Sequence, residues 1–289
     1  MSGVSRAMTF QRSRTPPPMA SLDGTGHMRP PHLERALILA EAGVRHPVEM
    51  YDRWRGRSER RRDRREEAPH LVVNRHSAID LAHELARVRD CATCATELAG
   101  IRERISRRLP SSSHHDSGWA LGELLWSLII HTRPRVSIET GVGRGKSTAF
   151  ILDALNRVDE EGHLWSVDIP PLEPRRYETA LAVDEGLRSR WTYVRGTSRR
   201  RLGQVLRRVS TVDLFLHDGL HTTDNMLFEF HSIWPRLSSG GFLVVDDAED
   251  NSAFARFADA RFAEGIQAAP YIINTTEERH VVGVLQRPG

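Results

Sequence analysis

The stretches VDLFLHDGLH, residues 212–221, and GGFLVVDD, residues 240–247, decide the fold. Each contains a short apolar run that is rich in β-branched or aromatic residues, and glycines lie beside both runs. This pattern predicts two buried parallel strands, Val212–Leu216 and Phe242–Val245. In an open α/β sheet, ligands bind just beyond the carboxyl ends of the strands. We therefore expect one pocket to contain the acidic and imidazole side chains that follow the two runs: Asp218, His221, Asp246 and Asp247.

The segments around these runs alternate between strand and helix patterns. Three more strands are predicted at Val136–Glu139, His163–Val167 and Trp191–Val194. The predicted helices between and around them are Gly118–His131, Lys146–Asn156, Tyr177–Arg188, Arg200–Val209 and Asn225–Trp234. Tyr271–Asn274 and Val281–Leu285 predict an antiparallel C-terminal hairpin. The pattern indicates an α/β fold with a doubly wound, mostly parallel, seven-stranded sheet of the Rossmann-like type.

The chain before this domain has a different composition. Residues 1–75 are arginine-rich and of low complexity, and we expect them to be partly disordered, with a short helix at Leu33–Val44. The charge run Arg53–Glu67 is either a solvated helix or linker, or a patch for nucleic acid, and the first interpretation is favoured. Residues 76–116 form a predicted helical extension, in which one long helix spans Ser77–Leu109 and favours self-association. The catalytic domain is predicted to span residues 117–289.

Composition excludes several classes of protein. The net charge of +3 produces no strong overall field, and no apolar stretch approaches the length of about 20 residues that a membrane span needs. The N-terminus lacks the pattern of a signal peptide, so we expect a cytoplasmic protein. Cys91 and Cys94 cannot form a disulfide framework. Because no second Cys-x-x-Cys pair supplies further ligands, we expect two helix-packing thiols, with a metal or redox site as the less favoured alternative.

The loop between the first predicted strand and its helix contains three glycines, Gly141, Gly143 and Gly145. It is one residue too short for a P-loop, and Lys146 occupies the place of the third glycine of a dinucleotide fingerprint. The remaining pattern, ExGxGxG with Glu139 before the turn, suits a cofactor that carries positive charge and no phosphate. Asp168, at the end of the second strand, can accept hydrogen bonds from both ribose hydroxyls of an adenosine.

Over residues 111–287 these features resemble the class I S-adenosylmethionine-dependent methyltransferases. The resemblance implies that the segment Glu139–Gly145 holds the methionine end of the cofactor and that Asp168 holds the ribose. It also implies that Thr197 and Ser198 line the adenine pocket, although many relatives carry an acidic residue where this chain has Thr197. The cofactor-binding residues predicted in this way are Glu139, Gly141, Gly143, Gly145, Ser147, Asp168, Thr197, Ser198 and Asp218.

The pattern DGxH followed by GGxxxxDD is more specific. It is similar to that of metal-dependent small-molecule O-methyltransferases, especially those that methylate sugars of macrolides. The resemblance implies that Asp218, Asp246 and Asp247 bind Mg2+ and that His221 is the general base. Carboxylates are the oxygen ligands that Mg2+ prefers, and a neutral imidazole can take a proton from a hydroxyl. Each of these residues could instead cap the helix that follows it.

We therefore predict magnesium-dependent methyl transfer from S-adenosylmethionine to a hydroxyl of a small molecule, a natural-product sugar or diol. The alternatives are a nucleic-acid methyltransferase that uses the arginine-rich N-terminal region, and a non-catalytic cofactor-binding protein. The expected partners are the small-molecule acceptor and a second copy of the chain, without nucleic acid or membrane.

Overall fold

The computed structural model describes residues 31–64, 74–87, 93–109, 117–158, 161–170, 172, 178–263, 268–274 and 279–289. The chain divides into two compact units, residues 1–45 and 46–289. Helix α1 (Pro31–Arg45) is the described part of the first unit. All other elements belong to the second unit.

The second unit consists of helices and one sheet. Its strands are β1 (Asn74–His76), β2 (Val136–Thr140), β3 (His163–Asp168), β4 (Trp191–Arg195), β5 (Val212–His217), β6 (Leu237–Val245), β7 (Ala268–Asn274) and β8 (Arg279–Gln286). Its α-helices are α2 (Pro47–Asp63), α3 (Ala78–Ala86), α4 (Cys94–Arg108), α5 (Trp119–Thr132), α6 (Lys146–Val158), α7 (Ser198–Leu206), α8 (Thr223–Ile233) and α9 (Ala253–Phe262).

The eight strands form a single sheet in the order β4-β3-β2-β5-β6-β8-β7-β1. Strands β2 to β6 are parallel to one another, and β8 is antiparallel to both β6 and β7. The predicted α/β class and the C-terminal antiparallel pair are therefore confirmed. The sheet has one strand more than predicted, because β1 adds to its edge in parallel with β7.

Both faces of the sheet are covered. Successive side chains of a strand point to opposite faces. Leu214 and Leu216 of β5 accordingly join the apolar cluster of α3, α4, α5 and α6, whereas Phe215 joins the cluster of α7, α8 and α9. This burial on both sides explains why the central strands are continuous apolar runs, and it holds their carboxyl ends in fixed positions.

Two predicted helices differ in the structure. The helix predicted over Ser77–Leu109 is two helices, because α3 ends where Arg87 adopts a left-handed backbone with φ of 54° and donates its N–H to the Glu84 carbonyl. The prediction of self-association was based on this long helix. It therefore loses that support and stays a prediction. The helix predicted over Tyr177–Arg188 is replaced by a 3₁₀ helix, Glu185–Arg190, in the described part of that segment. The Asp184 carboxylate starts it by accepting from the Gly186 N–H.

The cysteine prediction is also corrected. Cys94 is buried at the first residue of α4, as expected of a packing residue, but it is disulfide-bonded and not a thiol. The other cysteine, Cys91, lies outside the described residues.

The arginine-rich segment forms helix α2, which packs on the rest of the second unit through its acidic side chains. The Glu49 carboxylate accepts two hydrogen bonds from Arg195, and the Asp52 carboxylate accepts two from Arg200. Glu59, 3% exposed, accepts from the Thr222 hydroxyl. Helix α2 is therefore an integral part of the unit, and its carboxylates rather than its arginines make most of the contacts.

No helix among the described residues is long and apolar enough to cross a membrane.

Candidate active site

Four neighbouring strands, β3, β2, β5 and β6, are joined by backbone hydrogen bonds near their carboxyl ends. The N–H of Asp218, after β5, donates to the Thr140 carbonyl at 2.8 Å, and the N–H of Asp246, after β6, donates to the His217 carbonyl at 2.9 Å. The N–H of Gly141 donates to the Val167 carbonyl of β3. The loops that follow β2, β5 and β6 are therefore neighbours, as the sequence predicts.

The glycine loop after β2 requires glycine at two positions. Gly141 and Gly145 have φ values of 87° and 83°, a region that residues with a Cβ rarely adopt. A Cβ on Gly141 would lie 2.0 Å from the Asp218 carbonyl oxygen, and one on Gly145 would lie 2.8 Å from the Ala180 Cα. The loop therefore passes against the backbone of its neighbours, and α6 begins directly after it, with the N-terminal N–H groups of the helix at this edge.

Glu139 is fully buried beneath this loop. Its carboxylate accepts hydrogen bonds from the hydroxyls of Ser147 at 2.8 Å, Thr148 at 2.8 Å and Ser166 at 2.7 Å. Burial raises the pKa of Glu139 to about 7, although the three hydroxyl donors act in the opposite direction. A cationic group brought to this carboxylate would favour its ionised form.

Asp168 ends β3 beside the same loop. Burial raises its pKa to about 6, although the backbone N–H groups of Ile169, Gly143 and Val142 donate to it. The guanidinium of Arg53, from α2, lies close enough to lower that pKa, and it donates to the Pro170 carbonyl. Helix α2 therefore reaches the position at which the sequence predicts the ribose.

Thr197 and Ser198 lie at the start of α7, and the hydroxyls of both donate hydrogen bonds to other side chains. The Thr197 hydroxyl donates to the Asp52 carboxylate of α2 at 3.2 Å. The Ser198 hydroxyl is buried and donates to the Asn225 side-chain oxygen at 3.2 Å. Their predicted contact with an adenine ring stays a prediction.

Asp218, His221 and Asp246 form a cluster in which one ligand atom of each residue lies within 4.8 Å of the others. The Ser147 hydroxyl, which donates to Glu139, lies 3.3 Å from the Asp218 carboxylate. One serine thus joins the glycine loop to the acidic cluster.

Asp247 occupies a second group, with His221 and Asp250. Its carboxylate lies 3.3 Å from His221 Nδ1, and that of Asp250 lies 3.7 Å from the same atom. Asp247 has a left-handed backbone with φ of 46°, so that the two successive aspartates diverge. In this arrangement Asp247 orients the imidazole, and Asp246 faces Asp218.

The charges of this site are not balanced among the described residues. Burial and then the adjacent Asp246 carboxylate raise the pKa of Asp218 well above its usual range. Burial alone would lower the pKa of His221, but the surrounding carboxylates, led by Asp247 and Asp250, raise it well above its usual range. Asp218 and Asp246 repel each other when both are ionised, and a divalent cation between them would remove that repulsion. The donor set of hard carboxylate oxygens therefore fits Mg2+.

Sequence reasoning missed Glu229, which supports the site from α8. It is buried, and its carboxylate accepts from the Thr140 hydroxyl and contacts His217 Nδ1, both at 2.7 Å. The His217 ring lies 5.1 Å from that of His221, centroid to centroid. The signal available was the spacing of Asn225 and Glu229, which share one face of a helix and hydrogen-bond at 2.8 Å.

The comparisons with known proteins agree with the fold. Residues 138–248 match the family model of a methyltransferase domain. A search of curated proteins found no match. A protein of Klebsiella pneumoniae, designated a candidate O-methyltransferase, is 18% identical and has a TM-score of 0.51, and the alignment covers 74% of this chain and 97% of that one. The O-methyltransferase TomG of Streptomyces achromogenes, involved in tomaymycin synthesis and solved with S-adenosylmethionine, is 17% identical with a TM-score of 0.50 and the same coverage.

The predicted resemblance to methyltransferases is therefore confirmed over residues 138–248, at the level of a methyltransferase domain. At these identities the two solved structures establish a shared fold. The matched segment contains the glycine loop, Asp168 and the acidic cluster.

Proposed function

We propose that this protein is a magnesium-dependent O-methyltransferase that uses S-adenosylmethionine. The observation that carries the proposal is the position of Ser147, whose hydroxyl contacts Glu139 of the cofactor loop and lies 3.3 Å from Asp218 of the acidic cluster. The methyl donor and the hydroxyl that accepts the methyl group would therefore be bound side by side. Such juxtaposition of two reactants supplies much of the rate enhancement of a group transfer.

Each part of the glycine loop has a role in this proposal. The buried Glu139 carboxylate and its three hydroxyl donors form a site for the ammonium group of the methionine end. The left-handed glycines let the cofactor approach the backbone closely. Asp168 would accept the hydrogen bonds of the ribose hydroxyls.

Asp218 and Asp246 would hold Mg2+. Asp247, the further ligand that the resemblance implies, lies against His221 Nδ1 in this structure and would orient that ring. When bound, the cation would supply Lewis-acid stabilisation of the oxygen that attacks the methyl group. The two carboxylates would place the ion next to the glycine loop, because Ser147 contacts both Glu139 and Asp218. A diol that offers two oxygens would be held in a single orientation.

His221 would accept the proton of the attacking hydroxyl at Nε2, because Nδ1 faces Asp247 and Asp250. The raised pKa of His221 means that the ring carries a proton while the carboxylates are uncompensated. A cation at Asp218 and Asp246 would remove their part of this rise and so lower the pKa toward the range in which imidazole is a base. The methyl ether and S-adenosylhomocysteine leave the site, and the proton passes from His221 to solvent.

We propose a natural-product sugar or diol as the acceptor and the cytoplasm as the location of the reaction. The pattern DGxH with GGxxxxDD supports this acceptor class. TomG, whose fold this chain shares, takes part in the synthesis of a natural product.

The test is calorimetric titration of S-adenosylmethionine into the protein, followed by turnover on a panel of diols with and without Mg2+. We expect cofactor binding in all samples, and turnover only when the metal is present. Asp218→Asn/Asp246→Asn should abolish turnover, and His221→Asn should lower kcat by about 10²- to 10⁴-fold. Asp259→Asn, at an exposed aspartate of α9, is the matched control. Absence of cofactor binding would contradict the whole proposal, and full activity after chelation would contradict the role of the metal.

A further inference from the structure

Three helices meet at a second group of metal-ligating side chains. His83 lies in the last turn of α3, Cys94 is the first residue of α4, and His131 lies in the last turn of α5. One potential ligand atom of each residue lies within 4.8 Å of the others. These residues belong to no part of the proposed active site.

Both histidines leave one ring nitrogen without a hydrogen bond. The Nε2 atoms of His83 and His131 are each buried and have no hydrogen-bond partner. Their rings meet edge to face, with centroids 5.0 Å apart. A buried polar atom without a partner destabilises a fold unless another interaction compensates it. A cation held by two imidazoles and one sulfur is an interaction that would compensate such a site.

The environment of His131 is suitable for metal binding. Burial, with a smaller contribution from His83, lowers the pKa of His131 below its ordinary value. A neutral imidazole has the free electron pair that a metal requires.

Cys94 provides the third donor once it is reduced. In this structure it is disulfide-bonded. A dithiol reductant would cleave that bond by exchange, giving two thiols from the disulfide while the reductant becomes a disulfide itself. The sulfur of Cys94 stands at the N-terminus of a helix of 15 residues, where the helix dipole favours a thiolate.

We propose that the reduced protein binds one Zn2+ ion through His83, Cys94 and His131. Imidazole nitrogen and thiolate sulfur are the ligands that zinc prefers at structural sites, and the ion would replace the disulfide as the bond that fixes Cys94. The ion would link the ends of α3 and α5 to the start of α4. This link would hold these three helices together on the sheet. Zinc binding and the disulfide exclude each other, so that the redox state of Cys94 decides which of the two is present.

The test uses Co2+, whose spectrum reports both the geometry and the sulfur ligand, on the full chain reduced with a phosphine. We expect a thiolate-to-cobalt charge-transfer band and the intense visible bands of a tetrahedral ion, saturating at one Co2+ per chain. Equimolar Zn2+ should remove these bands and raise the Tm of the reduced protein. The acidic cluster has no sulfur and cannot produce the charge-transfer band.

The same titration on oxidised protein requires no substitution and should give no charge-transfer band. Cys94→Ser should lose the band, and His83→Asn and His131→Asn should each weaken Zn2+ binding at least tenfold. His231→Asn, at an exposed histidine of α8, should bind as the unaltered protein does. A reduced protein without the charge-transfer band, or unaltered binding in both histidine variants, would overturn the proposal.

Discussion

At the scale of the residue, Glu139 has the most consequential environment. Three hydroxyls donate to its carboxylate, yet its pKa is about 7, because burial outweighs them. Near neutral pH, a small change in pH therefore changes the charge of the Glu139 carboxylate. The folded protein holds the proton more tightly than the unfolded chain does between pH 4.5 and about 7.

We predict that binding of S-adenosylmethionine strengthens as pH rises from 6 to 8, since only the ionised Glu139 attracts the ammonium group. Below its pKa the affinity should fall by up to about tenfold per pH unit. Titration calorimetry at several pH values measures this. Glu139→Gln should bind weakly at all pH values and lose the dependence. A pH-independent affinity in the unaltered protein would contradict this role.

The same pKa predicts an effect on stability. The contribution of Glu139 to folding is fully present below pH 4.5 and declines as pH rises through about 7. In Glu139→Gln this decline should be absent, so at pH 8 the variant should have a higher Tm than the unaltered protein without cofactor. Glu103→Gln, at an exposed glutamate of α4, is the control and should leave the pH profile of Tm unchanged.

Sequence identified the residues that directly follow strands, because strand ends are recognisable and meet at one edge of the sheet. Asp218, His221 and Asp246 belong to this class, and the structure brings them together. Glu229 and Asp250 are not among the predicted site residues, since they approach the site from a helix face and a loop. His83 and His131 are brought to Cys94 only by the packing of three helices, which no local pattern encodes.

At the scale of the element, the contact between α5 and α6 depends on one glycine. A Cβ on Gly122 would lie 2.3 Å from the Phe150 ring, which is fully buried. We predict that Gly122→Ala destabilises the protein by about 1–3 kcal/mol, despite the better helix propensity of alanine. Urea unfolding measures this.

Gly100→Ala in α4 is the matched control. Its added Cβ would meet only an Arg104 nitrogen at 3.7 Å, so the change should be neutral or stabilise by up to about 1 kcal/mol. Equal effects of the two substitutions would show that helix propensity, and not the packing of α5 on α6, dominates at position 122.

Elements with a long or doubly buried apolar pattern were predicted closely, and α5 and β5 begin and end within one residue of the expected positions. The strand β1 could not be predicted, because its three residues carry no periodicity and it forms only where β7 offers an edge. The break after Ala86 was also missed, since apolar spacing alone does not reveal a left-handed residue such as Arg87.

At the scale of the whole molecule, the position of α2 depends on charge pairs of unequal strength. The arginines that face Glu49 and Asp52 are about half exposed, and such pairs contribute about 0–1 kcal/mol each. Glu59 is buried and pairs with Arg55 and Arg199 as well as Thr222. The loss of a buried carboxylate leaves its donors unsatisfied.

We predict that Glu59→Ala exposes the arginines of α2 to trypsin at least tenfold faster, whereas Asp52→Asn has a smaller effect that high salt reproduces in the unaltered protein. Limited proteolysis with mass spectrometry of the fragments measures this. The Glu103→Gln variant should be cut at the rate of the unaltered protein. Equal rates for Glu59→Ala and the unaltered protein would mean that the described contacts of Glu59 do not hold α2.

The position of strand β1 at the edge of the sheet limits when the sheet can be completed during synthesis. Its residues 74–76 pair with residues 271–273, near the opposite end of the chain. During synthesis the earlier segment leaves the ribosome long before its partner exists. The sheet can therefore be completed only after residues 271–273 have been translated, and pairings of such long range form slowly. Until then, the apolar faces of α3, α4 and α5 lack part of the sheet on which they pack, and a chaperone could bind the chain during this interval.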